Sequence, residues 1–212
     1  MTCSTYITEL ECLRLIEDKF SYQKRCILVA LSGIDASGKT SLANRIHQEL
    51  REDGIRSIIV GLDDWHNLAE VRFSALKPAE NYYKNAYRFN DLFNKFILPL
   101  KRDGNLSITV DLVEPKTNSC QTQAFHLNDI QIILLEGIFL LRSEFMEYYD
   151  LSFWIECSVE LATKRAITRN QENLAEREIL LLYQSIFFPA QKIHLLKDKP
   201  LKLADGIILN NS

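Results

Sequence analysis

An eight-residue segment, GIDASGKT at residues 33–40, sets the strongest condition on how this chain folds. It fits the pattern Gly-x-x-x-x-Gly-Lys-Ser/Thr, which requires a strand before it and a helix after it. A continuous apolar run, CILVALS, precedes it at 26–32, and apolar residues recur at helical spacing over 39–53. The segment therefore predicts a tight turn that leads from a buried strand into a helix.

This turn has the chemistry of a phosphate-binding loop. Its glycines let the backbone pass close to an anion, so that successive N–H groups point at phosphate oxygens. The first turn of the following helix adds partial positive charge. Lys39 is placed to reach the outer phosphates, and Thr40 to supply a ligand for Mg²⁺. We expect a nucleoside triphosphate to be bound by Gly33, Asp35, Ala36, Ser37, Gly38, Lys39, Thr40 and Ser41.

The nucleotide is predicted to be ATP rather than GTP. A guanine-binding protein of this class would need the motif Asn-Lys-x-Asp. The only Asn-Lys pair, Asn94-Lys95, is followed by Phe96-Ile97 and lies inside a predicted helix.

The rest of the chain alternates apolar runs with amphipathic segments. The runs predict five buried strands, at 26–32, 56–62, 130–136, 151–156 and 204–210. The other segments predict helices at 6–20, 39–53, 87–102, 158–170 and 174–187. Apolar strands separated by helices are typical of a parallel sheet that is covered on both faces. The predicted fold class is α/β: a three-layer P-loop NTPase fold with a mostly parallel five-stranded sheet and a small edge hairpin at 106–113 and 122–127.

The length of the chain and its few glycines and prolines favour a single domain. The chain has 212 residues with only 7 Gly and 5 Pro, and no internal repeat. We expect a single domain over 1–212, with an N-terminal helix in 1–20, a hairpin insertion at 104–128 and helices at 158–190.

Charge and cysteine content limit the classes of partner and ligand that this chain is expected to bind. The 25 basic and 28 acidic residues give a net charge of −3, whereas a general nucleic-acid binder needs a basic surplus. The most apolar stretch, 130–141, is too short to span a membrane, which takes about 20 residues. Five cysteines, at 3, 12, 26, 120 and 157, form no Cys-x-x-Cys pair, so neither disulfides nor zinc are expected. We expect a cytoplasmic protein whose partner is a small molecule, not nucleic acid or membrane, and leave a homo-oligomer open.

Acidic residues follow two of the predicted strands. Asp63 and Asp64 come after 56–62, and Glu136 ends 130–136. Ligands of open α/β sheets collect at the carboxyl ends of the strands, so these side chains can support a metal or accept a proton. Asp63 and Glu136 are the candidates, with Asp64 as the alternative base and a solvated turn as the structural alternative. Trp65 is either a stacking wall for a substrate ring or a packing residue.

The order of these segments resembles the uridine kinase-like branch of small P-loop kinases, which also includes phosphoribulokinase and pantothenate kinase. The resemblance covers about residues 27–210 and rests on the phosphate loop with five further segments. These are LDDWHN (62–67), YYKNAYRFNDLF (82–93), LLEGIFLL (134–141), DLSFWIECSVELATKRAITRN (150–170) and FFPAQKIHL with KPLKLADGIILNN (187–195 and 199–211).

The resemblance implies that ATP, with Mg²⁺, donates its γ-phosphoryl group to a hydroxyl of a small metabolite, with a nucleoside as the favoured acceptor. It implies that Asp63 activates the hydroxyl and that Thr40, Asp63 and Glu136 support the metal. Lys39 would hold the phosphates. Arg165 and Arg169, four apart on one helical face, would form a lid, unless they are a solvated basic face.

Several polar residues are candidates for acceptor contacts. These are Asp63, Trp65, Tyr83, Arg88, Asp111 and Glu136, with Tyr82 and Glu114 beside them, and packing or solvent exposure is the alternative for each aromatic and hairpin residue. Two other functions stay open: a nucleotide-binding regulatory ATPase of the P-loop class, and a kinase for a different small alcohol.

Overall fold

The computed structural model describes residues 5–74, 76–114, 117–170 and 174–211. Its strands are β1 (Thr5–Ile7), β2 (Ile27–Gly33), β3 (Ser57–Gly61), β4 (Leu106–Glu114), β5 (Ser119–Leu127), β6 (Ile132–Gly137), β7 (Leu151–Glu156) and β8 (Gly206–Leu209). Its α-helices are α1 (Glu9–Gln23), α2 (Lys39–Glu52), α3 (Ala69–Arg72), α4 (Pro78–Asn85), α5 (Phe89–Asp91), α6 (Leu98–Asp103), α7 (Val159–Arg169), α8 (Glu176–Leu182), α9 (Phe188–Lys197) and α10 (Pro200–Leu203). Short 3₁₀ turns lie at Leu62–Trp65 and Met146–Tyr148.

Six strands form one parallel sheet in the order β1-β8-β7-β2-β6-β3. Every residue of β2 and β6 is buried, as their unbroken apolar sequences predict. One face of the sheet packs on α1 and α2, and the other packs on a larger cluster that includes α4 to α7 and α9. The α/β class, the three layers and the parallel sheet are therefore confirmed.

The sheet has six strands and not the five predicted, because Thr5–Ile7 is a strand and not the start of a helix at 6–20. It pairs in parallel with β8, at the edge of the sheet. Thr8 then starts α1: its Oγ1 accepts from the Glu11 N–H at 3.2 Å, and Glu11 Oε2 accepts from the Thr8 N–H at 2.7 Å. This reciprocal cap satisfies the first amides of the helix and fixes its beginning.

Two helices continue through prolines by means of a π turn. The turn Leu92–Ile97 joins α5 to α6 ahead of Pro99, and the turn Tyr183–Phe187 joins α8 to α9 ahead of Pro189. A proline inside a regular helix lacks an N–H and clashes with the preceding turn, and a wider turn relieves both problems. The helix predicted at 174–187 consequently extends to residue 197.

This second helix, Glu176–Lys197, meets the length and composition expected of a membrane span. One such helix is weak evidence of a membrane span, because core helices of soluble proteins can meet the same criteria. In this fold 33% of its most apolar window is buried, and Ile179, Tyr183 and His194 are among the buried residues of the helix.

The predicted hairpin is confirmed as β4 and β5, which pair antiparallel from Leu106↔Leu127 to Glu114↔Ser119. It forms a separate two-stranded sheet. Because β4 contacts the turn Leu62–Trp65, the hairpin lies beside the carboxyl end of β3.

Candidate active site

The predicted phosphate loop lies between β2 and α2, and both of its glycines are required by close contacts. A Cβ at Gly33 would lie 2.5 Å from the carbonyl oxygen of Ile155 in β7. Gly38 has φ +95°, and a Cβ there would collide with the side-chain amide of Asn210. Asn210 Nδ2 also donates to the Ser37 carbonyl at 2.8 Å, so the chain end after β8 holds the loop.

The N-terminus of α2 faces this loop without a side-chain cap from any residue that the structure describes. Its first amides are thus available to an anion. Lys39 is 7% exposed, and its Nζ donates to the Ile34 carbonyl at 2.8 Å. Thr40 Oγ1 donates to Glu136 Oε1 at 3.1 Å, which joins the loop to the end of β6.

A cavity of about 430 Å³ opens beside the loop. Eight of the predicted site residues line it: Asp35, Lys39, Thr40, Asp63, Tyr82, Glu114, Glu136 and Arg169. One wall is apolar and includes Phe73, Ile138, Leu182 and Phe187. The same cavity thus contains the phosphate loop, two carboxylates at strand ends and a cation of α7.

Three carboxylates, Asp63, Asp64 and Glu136, lie close together at the ends of β3 and β6, and two of them, Asp63 and Glu136, line the cavity. A Cβ at Gly61 would lie 3.6 Å from both Asp64 Oδ2 and Glu136 Oε1. Burial raises the pKa of Glu136 to about 7, with Asp63 and Asp64 adding to the rise and Lys39 opposing it. Burial, with the charges of Asp63 and Glu114, also raises the pKa of Asp64. A cation placed among these groups would relieve their repulsion.

Asp63 is held by an aromatic pair. Tyr87 donates its hydroxyl to Asp63 Oδ1 at 3.0 Å, and His66 Nε2 lies 3.9 Å from the same oxygen. The rings of His66 and Tyr87 stack with centroids 4.6 Å apart. Burial lowers the pKa of His66 to about 4, so it is neutral at physiological pH. The side chain of Asp63 remains 63% exposed, and its carboxylate is open to a ligand in the cavity.

The donor set fits a hard cation such as Mg²⁺. Mg²⁺ is usually held by one or two carboxylates together with the phosphates of a nucleotide, not by a complete protein cage. Thr40 and Glu136 already share a hydrogen bond, and Asp63 lines the same cavity. Across the four described ranges, no group of three or more His, Cys, Asp or Glu side chains is arranged to hold a metal alone.

The two predicted lid arginines have different surroundings. Arg169 lines the cavity and pairs with Asp35 at 3.4 Å. Arg165 lies behind the loop, where its guanidinium donates to the carbonyls of Ala36 and Asn210 at 3.4 Å each.

Asp35 connects the loop to the lid helices. Its carboxylate accepts from Tyr183, and its backbone N–H donates to Gln191 Oε1 at 2.8 Å. Burial pushes the pKa of Asp35 upward, but the charges of Lys39 and Arg169 and the Tyr183 hydroxyl outweigh it and leave the pKa below its usual value.

Four residues predicted as acceptor contacts lie outside the lining of the cavity. Trp65 is 2% exposed and packs against Phe96, so of the two roles considered for it, it is a packing residue. The Tyr83 hydroxyl donates to Asp198 at 2.5 Å in the core. Arg88 donates to the Asp111 carbonyl at 2.7 Å, and the Asp111 carboxylate accepts from Thr122 on the neighbouring strand of the hairpin.

Sequence reasoning missed four residues around the cavity: Arg72, Tyr87, Tyr183 and Gln191. None belongs to a recognisable motif. Tyr87, Tyr183 and Gln191 each bond to Asp63 or Asp35 across more than twenty residues of chain, and Arg72 reaches the cavity from the end of α3. The segment YYKNAYRF was singled out, but nothing in its spacing shows that Tyr87 is the member that reaches Asp63.

Comparisons with known proteins find kinases of similar sequence and fold. The chain is 28% identical over 174 residues to the uridine kinase of Psychromonas ingrahamii, covering 78% of this chain and 80% of that protein. It is 26% identical over 171 residues to the uridine kinase of Cronobacter sakazakii, covering 78% and 79%. A possible uridine kinase from Bacillus stearothermophilus has the same fold, with a TM-score of 0.69 over 91% of this chain and 98% of that one at 21% identity. No family model matches the chain. The resemblance to uridine kinase-like P-loop kinases is confirmed, and these similarities support a phosphotransferase that acts on an alcohol.

The raised pKa of Glu136 predicts a pH-dependent cost to stability. The carboxyl ionises near pH 4.5 in the unfolded chain and near 7 in the folded one, so folding disfavours its charged form as the pH rises between these values. Without Mg²⁺ or nucleotide, the free energy of unfolding of Glu136→Gln should therefore rise relative to that of the wild type as the pH rises across that range. The difference should reach on the order of 2–3 kcal/mol above pH 7.

Urea unfolding at pH 4.5, 6 and 8 measures the difference. Glu49→Gln, an exposed change of the same kind on α2, is the control and should give a flat difference. A Glu136→Gln difference that is equally flat would contradict the pKa assignment.

Proposed function

We propose that this chain, similar to uridine kinases in sequence and fold, is a Mg²⁺-dependent kinase that transfers the γ-phosphoryl group of ATP to a hydroxyl of a small metabolite. One observation carries the proposal. A single cavity holds the phosphate loop with Lys39 and Thr40, the exposed carboxylate of Asp63 and the cation Arg169. These are the donor site, the base and the charge-neutralising group that phosphoryl transfer needs.

Asp63 is the proposed general base. Its carboxylate accepts a hydrogen bond from Tyr87, which fixes one oxygen, and its exposed part can accept the proton of an acceptor hydroxyl. Lys39 exchanges the Ile34 carbonyl for phosphate oxygens when the nucleotide binds. Arg169 lies where it can neutralise charge on the migrating group. Mg²⁺, held by Thr40 and Glu136 with Asp63 nearby, would neutralise phosphate charge.

The acceptor is a small alcohol. A nucleoside is one candidate, because the relatives are named uridine kinases. A different small alcohol is the other, because the predicted hairpin and aromatic contacts, Asp111, Tyr83 and Trp65, do not line the cavity. We place this reaction in the cytoplasm, as the sequence predicts.

The proposal is tested by acceptor-dependent ADP release. Purified protein with Mg-ATP is screened against uridine, other nucleosides and small alcohols, with Lys39→Ala as the inactive reference. A kinase releases ADP faster when its acceptor is present, and Lys39→Ala should remove that increase. An ATPase rate that no acceptor changes would instead support a regulatory ATPase.

Asp63→Asn should reduce acceptor phosphorylation by at least about 10²-fold, the lower end of what general-base assistance contributes. The amide keeps the shape and can still accept from Tyr87, but it cannot take the hydroxyl proton. Nucleotide affinity, measured by titration, should survive.

Asp64→Asn is the matched control, since this neighbouring carboxylate does not line the cavity. If Asp64→Asn is the inactive variant and Asp63→Asn is close to normal, the base is Asp64. If both remain active, neither carboxylate is the base.

The two lid arginines should behave differently. Arg169→Ala should lower kcat by at least about tenfold and change the nucleotide Kd little, because a charge that engages the migrating phosphoryl acts mainly in the transition state. Arg165→Ala should mainly weaken nucleotide binding, because its guanidinium supports the carbonyls of Ala36 and Asn210. Steady-state kinetics and nucleotide titration separate the two effects, and equal losses in both variants would contradict this division.

A further inference from the structure

Arg72 is a buried cation that has no carboxylate partner among the residues that the structure describes. It ends α3, is 7% exposed and lines the cavity. Within the described ranges, no carboxylate oxygen lies within 4.0 Å of its guanidinium, and its Nε has no hydrogen-bond partner.

The backbone holds Arg72 in this position. Asn81 Nδ2, on α4, donates to the carbonyls of Val71 and Arg72 at 2.8 Å each, which ties the end of α3 to α4. The guanidinium carbon lies 5.1 Å from the centre of the Phe73 ring. An aromatic face stabilises a cation only weakly compared with the cost of burying it unpaired. The group is therefore prepared for an anion that comes from outside the chain.

The aromatic side chains around Arg72 connect it to the proposed base. The Phe73 ring that its guanidinium faces stacks on Tyr82, Tyr82 packs against Tyr87, and the Tyr87 hydroxyl donates to Asp63. Lys39 and the N-terminus of α2, which would bind the donor phosphates, follow a different strand, β2. Arg72 thus lies on the side of the cavity where the proposed base meets the acceptor.

We propose that the acceptor carries an anionic group, a carboxylate or a phosphate, which Arg72 binds while a hydroxyl of the same molecule faces Asp63. The inference rests on the proposed kinase function and narrows it. A guanidinium offers paired N–H donors that match the oxygens of either anion. A neutral nucleoside would leave this cation buried and unpaired, so it is expected to be the poorer acceptor.

A binding experiment tests this without turnover. The protein is first saturated with Mg²⁺ and the non-hydrolysable analogue AMP-PNP, which occupies the phosphate loop. Glycerol, D-glycerate and glycerol 3-phosphate, which share a three-carbon skeleton, are then titrated while the melting temperature is followed. D-glycerate or glycerol 3-phosphate should raise the melting temperature of the wild type, and glycerol should not.

Arg72→Gln should abolish the anion-dependent shift, and Lys84→Gln, which removes an exposed charge from nearby α4, should retain it. A shift with D-glycerate alone identifies a carboxylate, and one with glycerol 3-phosphate alone identifies a phosphate. If neither anion shifts the wild type, or if Arg72→Gln keeps the shift, the proposal is overturned. Failure of AMP-PNP itself to bind would overturn the kinase proposal and this one together.

Kinetics provide the second readout. kcat/KM is measured for every acceptor, uridine included, that increases ADP release. The ratio of kcat/KM for anionic acceptors to that for neutral acceptors should fall at least tenfold in Arg72→Gln and recover in part in Arg72→Lys. A loss that is equal for charged and neutral acceptors would place Arg72 on the transferred phosphoryl group and would contradict the inference. So would a wild-type preference for uridine over every anionic alcohol.

Discussion

The parallel register of β2, β6 and β3 fixes the geometry on which the site depends. Ser32 lies opposite Gly137, and Gly61 lies opposite Glu136, so the three strands end at one edge of the sheet. The phosphate loop, Glu136 and the turn that carries Asp63 each begin where a strand ends. Side chains alternate between the faces of a strand, so a slip of one residue would turn Glu136 to the opposite face. The buried apolar pairing of these strands thus positions groups that have no contact with the core.

Charge balance in the cavity follows from this placement. Its lining carries the carboxylates of Asp35, Asp63, Glu114 and Glu136 and the cations of Lys39, Arg72 and Arg169. Asp35 and Arg169 neutralise each other, whereas Glu136 has a raised pKa and Arg72 pairs with no carboxylate in the part of the chain that the structure describes. The unbalanced groups are those that a cation and an anionic ligand would complete. Unbalanced charges in a cavity are expected of a site that binds charged molecules.

Local patterns were enough to predict most of the fold. The phosphate loop, the four inner strands, α7 with its Ser158 cap and the hairpin depend on neighbouring residues, and each is found where its pattern places it. β1 was missed because three residues at a sheet edge are defined by pairing with β8 and by the Thr8–Glu11 cap, not by periodicity.

The candidate site was less predictable, because its acceptor side is built from distant segments. Two residues of the short turn after β3 lie in different surroundings: Asp63 faces the cavity and Trp65 is buried in the core, and composition alone does not distinguish them. Tyr87 and Arg72 reach the cavity only through the packing of α3 and α4, for which the sequence has no spacing rule. Sequence motifs predict the donor half of the site, whereas the acceptor half is formed by tertiary contacts that no motif predicts.

The π turn at Tyr183–Phe187 also sets the angular phase of the helix that contains it. Tyr183 and Gln191 both bind Asp35, although they are eight residues apart. At about 100° per residue, eight residues of regular helix would leave them about 80° out of line. The extra residue of the π turn reduces the offset to about 20°, so both side chains meet the same loop residue. Pro189 therefore does more than interrupt a hydrogen bond. The wider turn in front of it lets residues from two turns of one helix, Tyr183 and Gln191, contact the same loop.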